Sequence, residues 1–115
     1  MEKLFREGRS FYLSPFRILV LEEKNKEERP VVRMAVSVPR KIFKRAVKRN
    51  LLKRRIREAY RLNKSVLTDF LAGKGIFLDM IFIYTSREIL PYREIEDKIV
   101  LSLRKIRSEY EKDTE

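Results

Sequence analysis

AVKRNLLKRRIREAYR, residues 46–61, decides how the rest of the chain is read. At 100° per residue, Leu52, Ile56, Ala59 and Tyr60 fall on one stripe, spaced i, i+4, i+7 and i+8, which is the pattern of an amphipathic helix. Asn50, Lys53, Arg54, Arg57 and Arg61 fall together on a neighbouring face, with Arg49 at the border and Lys48 and Arg55 flanking the opposite edge. Nine of the nineteen residues from Phe43 to Arg61 are Lys or Arg, and Glu58 alone opposes them. Such a helix has a core side, which needs an apolar surface to lie on, and a cationic side, which needs an anionic partner.

Upstream, Pro39 closes an extended run, so the helix is expected to begin between Phe43 and Val47. FYLSPFRILVL (11–21) and PVVRMAVSV (30–38) read as two strands, with the charged stretch EEKNKEER between them as a long hairpin loop. Val32, Met34, Val36 and Val38 alternate with Arg33, Ala35 and Ser37, and Phe16, Ile18 and Val20 alternate with Arg17 and Leu19. One sheet face is therefore apolar and takes the helix, while the other is mixed and cationic.

Downstream, NKSVLTDFLAGKG (63–75) reads as a connection holding one short helical turn, ended by Gly73 and Gly75. FLDMIFIYT (77–85) is short, apolar and rich in Ile and aromatics, as a buried third strand would be. Ile95, Ile99, Leu103, Ile106 and Tyr110 recur at helical spacing behind Pro91, predicting a final helix. The expectation is one α+β domain over residues 1–115, a small sandwich with helices on one face of a central three- to four-stranded sheet and a frayed tail at 112–115.

Composition limits what such a domain can do. With 28 basic and 17 acidic residues the chain carries a formal charge of +11, a self-repulsion most readily offset by a polyanion, nucleic acid above all. No run reaches the roughly 18 apolar residues of a membrane span, and no cleavable leader pattern is visible, so a cytoplasmic protein is expected. The chain has no Cys and no His, which removes thiolate and imidazole metal ligands, His-activated nucleophiles and His acid/base chemistry. Three glycines cannot build a phosphate-cradling loop. Scattered carboxylates offer no protein metal site, and catalysis by this chain's own residues is not expected.

At this point the residues carry a resemblance. SVPRKIFKRAVKRNLLKRRIREAYR (37–61) resembles the signature of the bacterial ribonuclease P protein subunit, in which a Ser-Val strand end leads through a basic loop into a helix. The matching helix positions are Arg49, Asn50, Lys53, Arg54, Arg57, Ala59 and Tyr60. LFREGRSF (4–11) is similar to the end of the family's first helix, and IFIYTSREI and YREIEDKIVLSLRKI are similar to its last strand and helix. Leu51 stands where the family usually carries a further Arg, the first helix is shortened, and the loop from Ser37 to Arg49 is about one residue longer than usual.

The resemblance implies an α-β-β-α-β-α order, with an open cleft on the uncovered sheet face. It implies that the protein binds the catalytic RNA of ribonuclease P and the 5′ leader of precursor tRNA. The RNA, with Mg²⁺ in its own active site, performs the cleavage, so the chain is an endoribonuclease subunit with no catalytic residue of its own. Arg45, Lys48, Arg49, Lys53, Arg54, Arg57 and Arg61 are the candidates for the catalytic RNA, through charge-assisted and, for Arg, forked contacts to phosphate. Asn50, whose amide both donates and accepts, is the candidate for an RNA contact or for orienting Arg49 and a water of a bound metal ion. Phe5, Arg17, Leu19, Arg33 and Ser37 are the candidates for the leader, where unpaired bases stack and cations meet phosphates. The free protein is expected to be monomeric. Another structural RNA binder, or a DNA-binding regulator, would use the same charge.

Overall fold

The computed structural model describes residues 8–23 and 30–112. Four strands, β1 (Arg9–Leu13), β2 (Phe16–Glu23), β3 (Val32–Ser37) and β4 (Phe77–Tyr84), form one sheet in the order β1-β2-β4-β3. Three helices, α1 (Ala46–Asn63), α2 (Ser65–Lys74) and α3 (Tyr92–Lys112), pack against it. β1–β2 and β2–β4 are antiparallel, whereas β3 and β4 run parallel.

The expected sandwich is present, with three differences in its wiring. The 11–21 run is two strands rather than one. Pro15 has no N–H for a sheet ladder, and with Ser14 it forms the turn between Leu13 and Phe16, which face each other across the hairpin. Its carbonyl accepts the Thr85 backbone N–H at 2.8 Å, tying the turn to the end of β4. Secondly, β2 and β3 do not form a hairpin, because β4 lies between them. Leu78, Met80, Phe82 and Tyr84 are buried on one side of β4 and Ile81 on the other, and a strand apolar on both faces is best accommodated at the centre of a sheet.

The third difference is α2, a ten-residue helix where a single turn was expected. Leu67 and Leu71 bury one side of it. Gly75 ends it at φ 68°, a left-handed geometry that side chains disfavour. The Ile76 N–H reaches back to the Leu71 carbonyl at 3.1 Å, completing the cap. Gly73 sits inside this helix. The shortened first helix and the 113–115 part of the expected tail lie outside the described residues, and Lys112 is the last residue of α3.

The core fills the helix side of the sheet. Cross-strand rows place Phe16 beside Tyr84, Ile18 beside Phe82 and Val20 beside Met80. Phe16 meets Phe82 and Tyr84 edge to face, with centroids 5.5 and 5.9 Å apart, an arrangement that adds to area burial. Onto these rows α1 sets Leu52, Ile56 and Ala59, and α3 sets Ile95, Ile99, Leu103 and Ile106, all buried as their spacing predicts. Each such burial is worth roughly 1.5–3 kcal/mol for the larger side chains.

Tyr60 completes the α1 stripe half-buried, and burial pushes its phenol from 10.0 up to about 12. Desolvation raises Tyr84, Tyr92 and Tyr110 in the same direction. The folded state holds these protons more tightly than the unfolded chain. Their contribution is therefore complete below about pH 10 and is lost as pH rises through the folded values. The urea midpoint should fall progressively above about pH 10, and Tyr60→Phe should flatten part of that fall, which separates the phenol from lysine deprotonation. An identical pH profile for Tyr60→Phe would remove Tyr60 from the account.

Candidate nucleic-acid interface

The cationic helix starts abruptly. Arg45 is its N-cap in an extended conformation with no side-chain cap, and no acidic residue occupies the first turn. The unpaired N–H groups and the positive end of the helix dipole thus add to the side-chain charge. Just before it, the Ile42 and Phe43 N–H groups fold back on the Pro39 carbonyl at 3.1 and 3.2 Å. The buried Phe43 ring packs near Tyr84, 6.1 Å away, anchoring the loop to the core.

Exposure sorts the predicted contacts. Arg45, Lys48, Asn50, Arg54, Arg57 and Arg61 are exposed and Lys53 is half-buried. Lys53, Arg54, Arg57, Asn50 and Arg61 share the face beside the core stripe, as the helical spacing requires. Among the described residues, Arg45, Lys48, Lys53, Arg54 and Arg57 make no ion pair, so their charge is available to a partner. Asn50 lies in the second turn, so it does not cap the helix.

Two members of the set are already engaged. Arg61 forms a forked contact with Glu58, and that contact lowers the Glu58 pKa. Arg49 turns its guanidinium inward, where Nη1 donates to the carbonyls of Phe43 and Lys44 at 2.7 and 2.8 Å. It braces the junction of loop and helix. Arg55, on the far edge, donates to the Leu90 carbonyl at 2.7 Å and holds α1 to the segment after β4.

The opposite face of the sheet carries the second predicted set. Strand pairing aligns Tyr12, Arg17, Ile83 and Ser37 in one row, Ser10, Leu19, Ile81 and Ala35 in the next, and Leu21, Asp79 and Arg33 in a third. Rows lie about 6.6 Å apart along the strands. The structure thus brings Arg17, Leu19, Arg33 and Ser37 onto one face, while Phe5 lies outside the described residues. β4 separates Arg17 from Arg33, so they are not a cross-strand pair.

This face is less cationic than its sequence suggests. Its centre is an apolar cluster of Leu19, Leu21 and Ile81 flanked by Ala35 and Ile83, and Leu19 is only 6% exposed. Arg33 forms a forked ion pair with Asp79 at 2.7 and 2.8 Å, which raises the Arg33 pKa and offsets its charge. Arg17 remains exposed and makes no ion pair among the described residues. It lines a cavity of about 530 Å³ with Ser10, Leu19, Ile83, Thr85 and Lys41. Lys41 was not anticipated; its signal is the basic run PRKIFKR (39–45) beside the strand end, read only as a connection. Among the described residues no group of three or more acidic side chains could hold a metal ion, and no helix is long and apolar enough to cross a membrane.

The sequence profile of the family Ribonuclease P matches residues 1–107. A ribonuclease P protein component from Porphyromonas gingivalis is 40% identical over 103 residues, covering 90% of this chain and 74% of that one. One from Chlorobaculum tepidum is 48% identical over 60 residues, 49% of this chain and 39% of that one. Among solved structures, the RNase P protein from Thermotoga maritima superposes with a TM-score of 0.69 at 26% identity, covering 89% and 86% of the two chains. That from Staphylococcus aureus gives 0.67 at 25% identity, covering 90% and 87%.

Proposed function

The chain belongs to the ribonuclease P protein family, and from that premise we propose that α1 docks on the catalytic RNA while the uncovered sheet face holds the 5′ leader of precursor tRNA. Family membership makes it the protein component of an endoribonuclease that acts in tRNA processing, with the ribonuclease P RNA as its partner. The observation that carries the finer reading is the stripe of Lys53, Arg54 and Arg57 on α1, exposed or half-buried and free of ion pairs among the described residues.

The chemistry follows from the residue types. Arg54 and Arg57 offer forked donors to phosphate oxygens, and Lys53, Lys48 and Arg45 add point charge. Each contact displaces condensed counterions, so affinity falls steeply with salt. Asn50, which both donates and accepts, is suited to a base edge or a 2′-hydroxyl among these phosphate contacts. Arg49 acts indirectly by bracing the loop. On the sheet face Arg17 and Ser37 would meet leader phosphates, Leu19 would touch the strand only through the cavity it lines, and Arg33 contributes less because Asp79 offsets it.

Cleavage itself is assigned to the RNA, with Mg²⁺ held there. By neutralising phosphates this protein would lower the Mg²⁺ concentration the assembly needs. It would work as a monomer in the free state and in the cytoplasm. The test is precursor-tRNA cleavage by a bacterial ribonuclease P RNA at low, near-physiological Mg²⁺, with and without the protein. Stimulation at the mature 5′ end, lost on Arg54→Ala, is the expected result. Tight RNA binding without stimulation would reduce the reading to a general structural RNA binder.

A further inference from the structure

One aromatic ring on the uncovered sheet face has no part in the reading above. Tyr12 is 63% exposed, and among the described residues it is the one aromatic side chain left mostly to solvent. Most of the others are engaged: Phe16, Phe82, Tyr84 and Phe43 pack on one another, Arg9 lies over Tyr110, Lys105 over Phe11, and Lys74 and Arg107 over Phe70. An isolated exposed tyrosine on an edge strand is ordinary. Three features take Tyr12 out of that class.

The ring is held from both ends. Its hydroxyl lies 3.2 Å from Thr85 Oγ1. Thr85 Oγ1 spends its own proton on the Pro15 carbonyl at 2.8 Å, so the phenol is the donor of the pair. The backbone fixes the near end of the ring and Thr85 the far end, and between them the faces stay open. A pre-oriented ring loses little rotamer freedom when something stacks on it, which favours binding.

The ring also stands beside a free cation. Tyr12 and Arg17 are direct cross-strand partners, placing their Cβ atoms about 5 Å apart on the same face. A ring and an unpaired guanidinium side by side match the two halves of a nucleotide, a π-face for the base and a forked donor for the phosphate. Finally, the face is polarised. Thr85, Arg17 and Ile83 line the larger cavity at this end, whereas the far row ends in the Arg33–Asp79 pair, whose charges offset each other.

We propose that Tyr12 is a base-stacking platform, on which one unpaired nucleobase of the precursor-tRNA leader rests while Arg17 holds a neighbouring phosphate. This rests on the assignment of the leader to the same face. Stacking on a phenol ring tolerates any base, since every base has a π-face. Tyr12 therefore strengthens leader binding without imposing a sequence.

The test is equilibrium binding of precursor tRNA to the reconstituted assembly of ribonuclease P RNA and protein. The substrates carry a single abasic nucleotide at successive leader positions, with leaderless tRNA as the control. Tyr12→Ala should weaken binding of the intact leader by roughly tenfold, and Tyr12→Phe, which keeps the stacking face and loses only the tether to Thr85, should weaken it far less. At one leader position the abasic substitution should cost the wild type the same roughly tenfold and cost Tyr12→Ala nothing further. Because the chain contains no tryptophan, Tyr12→Trp gives a single indole emitter whose emission should change on binding the leader and not on binding leaderless tRNA. If Tyr12→Ala binds like the wild type while Arg17→Ala weakens leader binding, the platform is refuted and the leader assignment stands. If neither substitution affects leader-dependent binding, the leader assignment itself fails. An equal loss for leaderless tRNA would mark a structural effect and also refute the platform.

Discussion

Arg54→Ala combined with Arg57→Ala should weaken binding of the ribonuclease P RNA by about 2 to 5 kcal/mol, roughly thirtyfold to several thousandfold. Both side chains are exposed on the cationic face of α1 and make no ion pair among the described residues. In the free protein they contribute little, and surface substitutions of this kind normally change stability by no more than about 0.5 kcal/mol. The urea midpoint should therefore stay in place while affinity collapses. The diagnostic quantity is the dependence of log affinity on log salt, whose slope should shrink by about two, one for each phosphate contact removed. A slope equal to that of the wild type would place both residues outside the interface, however large the loss of affinity. Arg61→Ala offers an internal contrast, since Glu58 already neutralises much of that charge and the loss should be smaller.

Phe82→Ala should act on the fold instead, costing about 3–5 kcal/mol of stability. The ring is fully buried at the middle of the central strand, paired with Ile18 on one side and Val36 on the other. It meets Phe16 edge to face at 82°. The loss combines transfer free energy with a cavity that a packed sheet and three helices can only partly close. Domains of this size have a total stability of about 5–15 kcal/mol, so the variant should show a much lower urea midpoint. The double substitution with Phe16→Ala should be less damaging than the sum of the two singles, because they share one contact. A midpoint shift worth less than about 1 kcal/mol would contradict the packing described above.

The elements legible in the sequence are those whose periodicity speaks for itself. Leu52, Ile56 and Ala59 announce the core side of α1, and Ile95, Ile99, Leu103 and Ile106 that of α3. The apolar run of β4, interrupted only by Asp79, announces a buried strand. What was misread depended on partners distant in the chain or on a single residue. Pro15 breaks the 11–21 run, and the alternation on either side of it masked the break. The central position of β4 could have been inferred from Ile81, apolar on the face opposite Met80 and Phe82. Ten residues with only Leu67 and Leu71 buried gave α2 too weak a stripe to distinguish it from a loop.

The candidate site divides in the same way. The cationic face of α1 follows from helical geometry alone, which sets Lys53, Arg54 and Arg57 side by side next to the core stripe. Which cations are free does not follow from it. The inward turn of Arg49 to the Phe43 and Lys44 carbonyls and the pairing of Arg33 with Asp79, forty-six positions apart in the chain, are tertiary facts. Tyr12 escaped notice because it reads as one more strand aromatic. Its exposure becomes visible only once the hairpin register sets it opposite Arg17.

The parallel pairing of β3 with β4 has a consequence for how the molecule is made. Because the two strands flank α1 and α2 in the chain, the cationic helix is the crossover that joins them. On a ribosome, α1 leaves the exit tunnel before β4 does. Until β4 arrives, β2 and β3 lack the strand that lies between them, and Leu52, Ile56 and Ala59 lack the Met80 and Phe82 rows. The surface that meets RNA is therefore synthesised before the sheet that will hold it, and only the insertion of β4 turns a charged nascent segment into an oriented one.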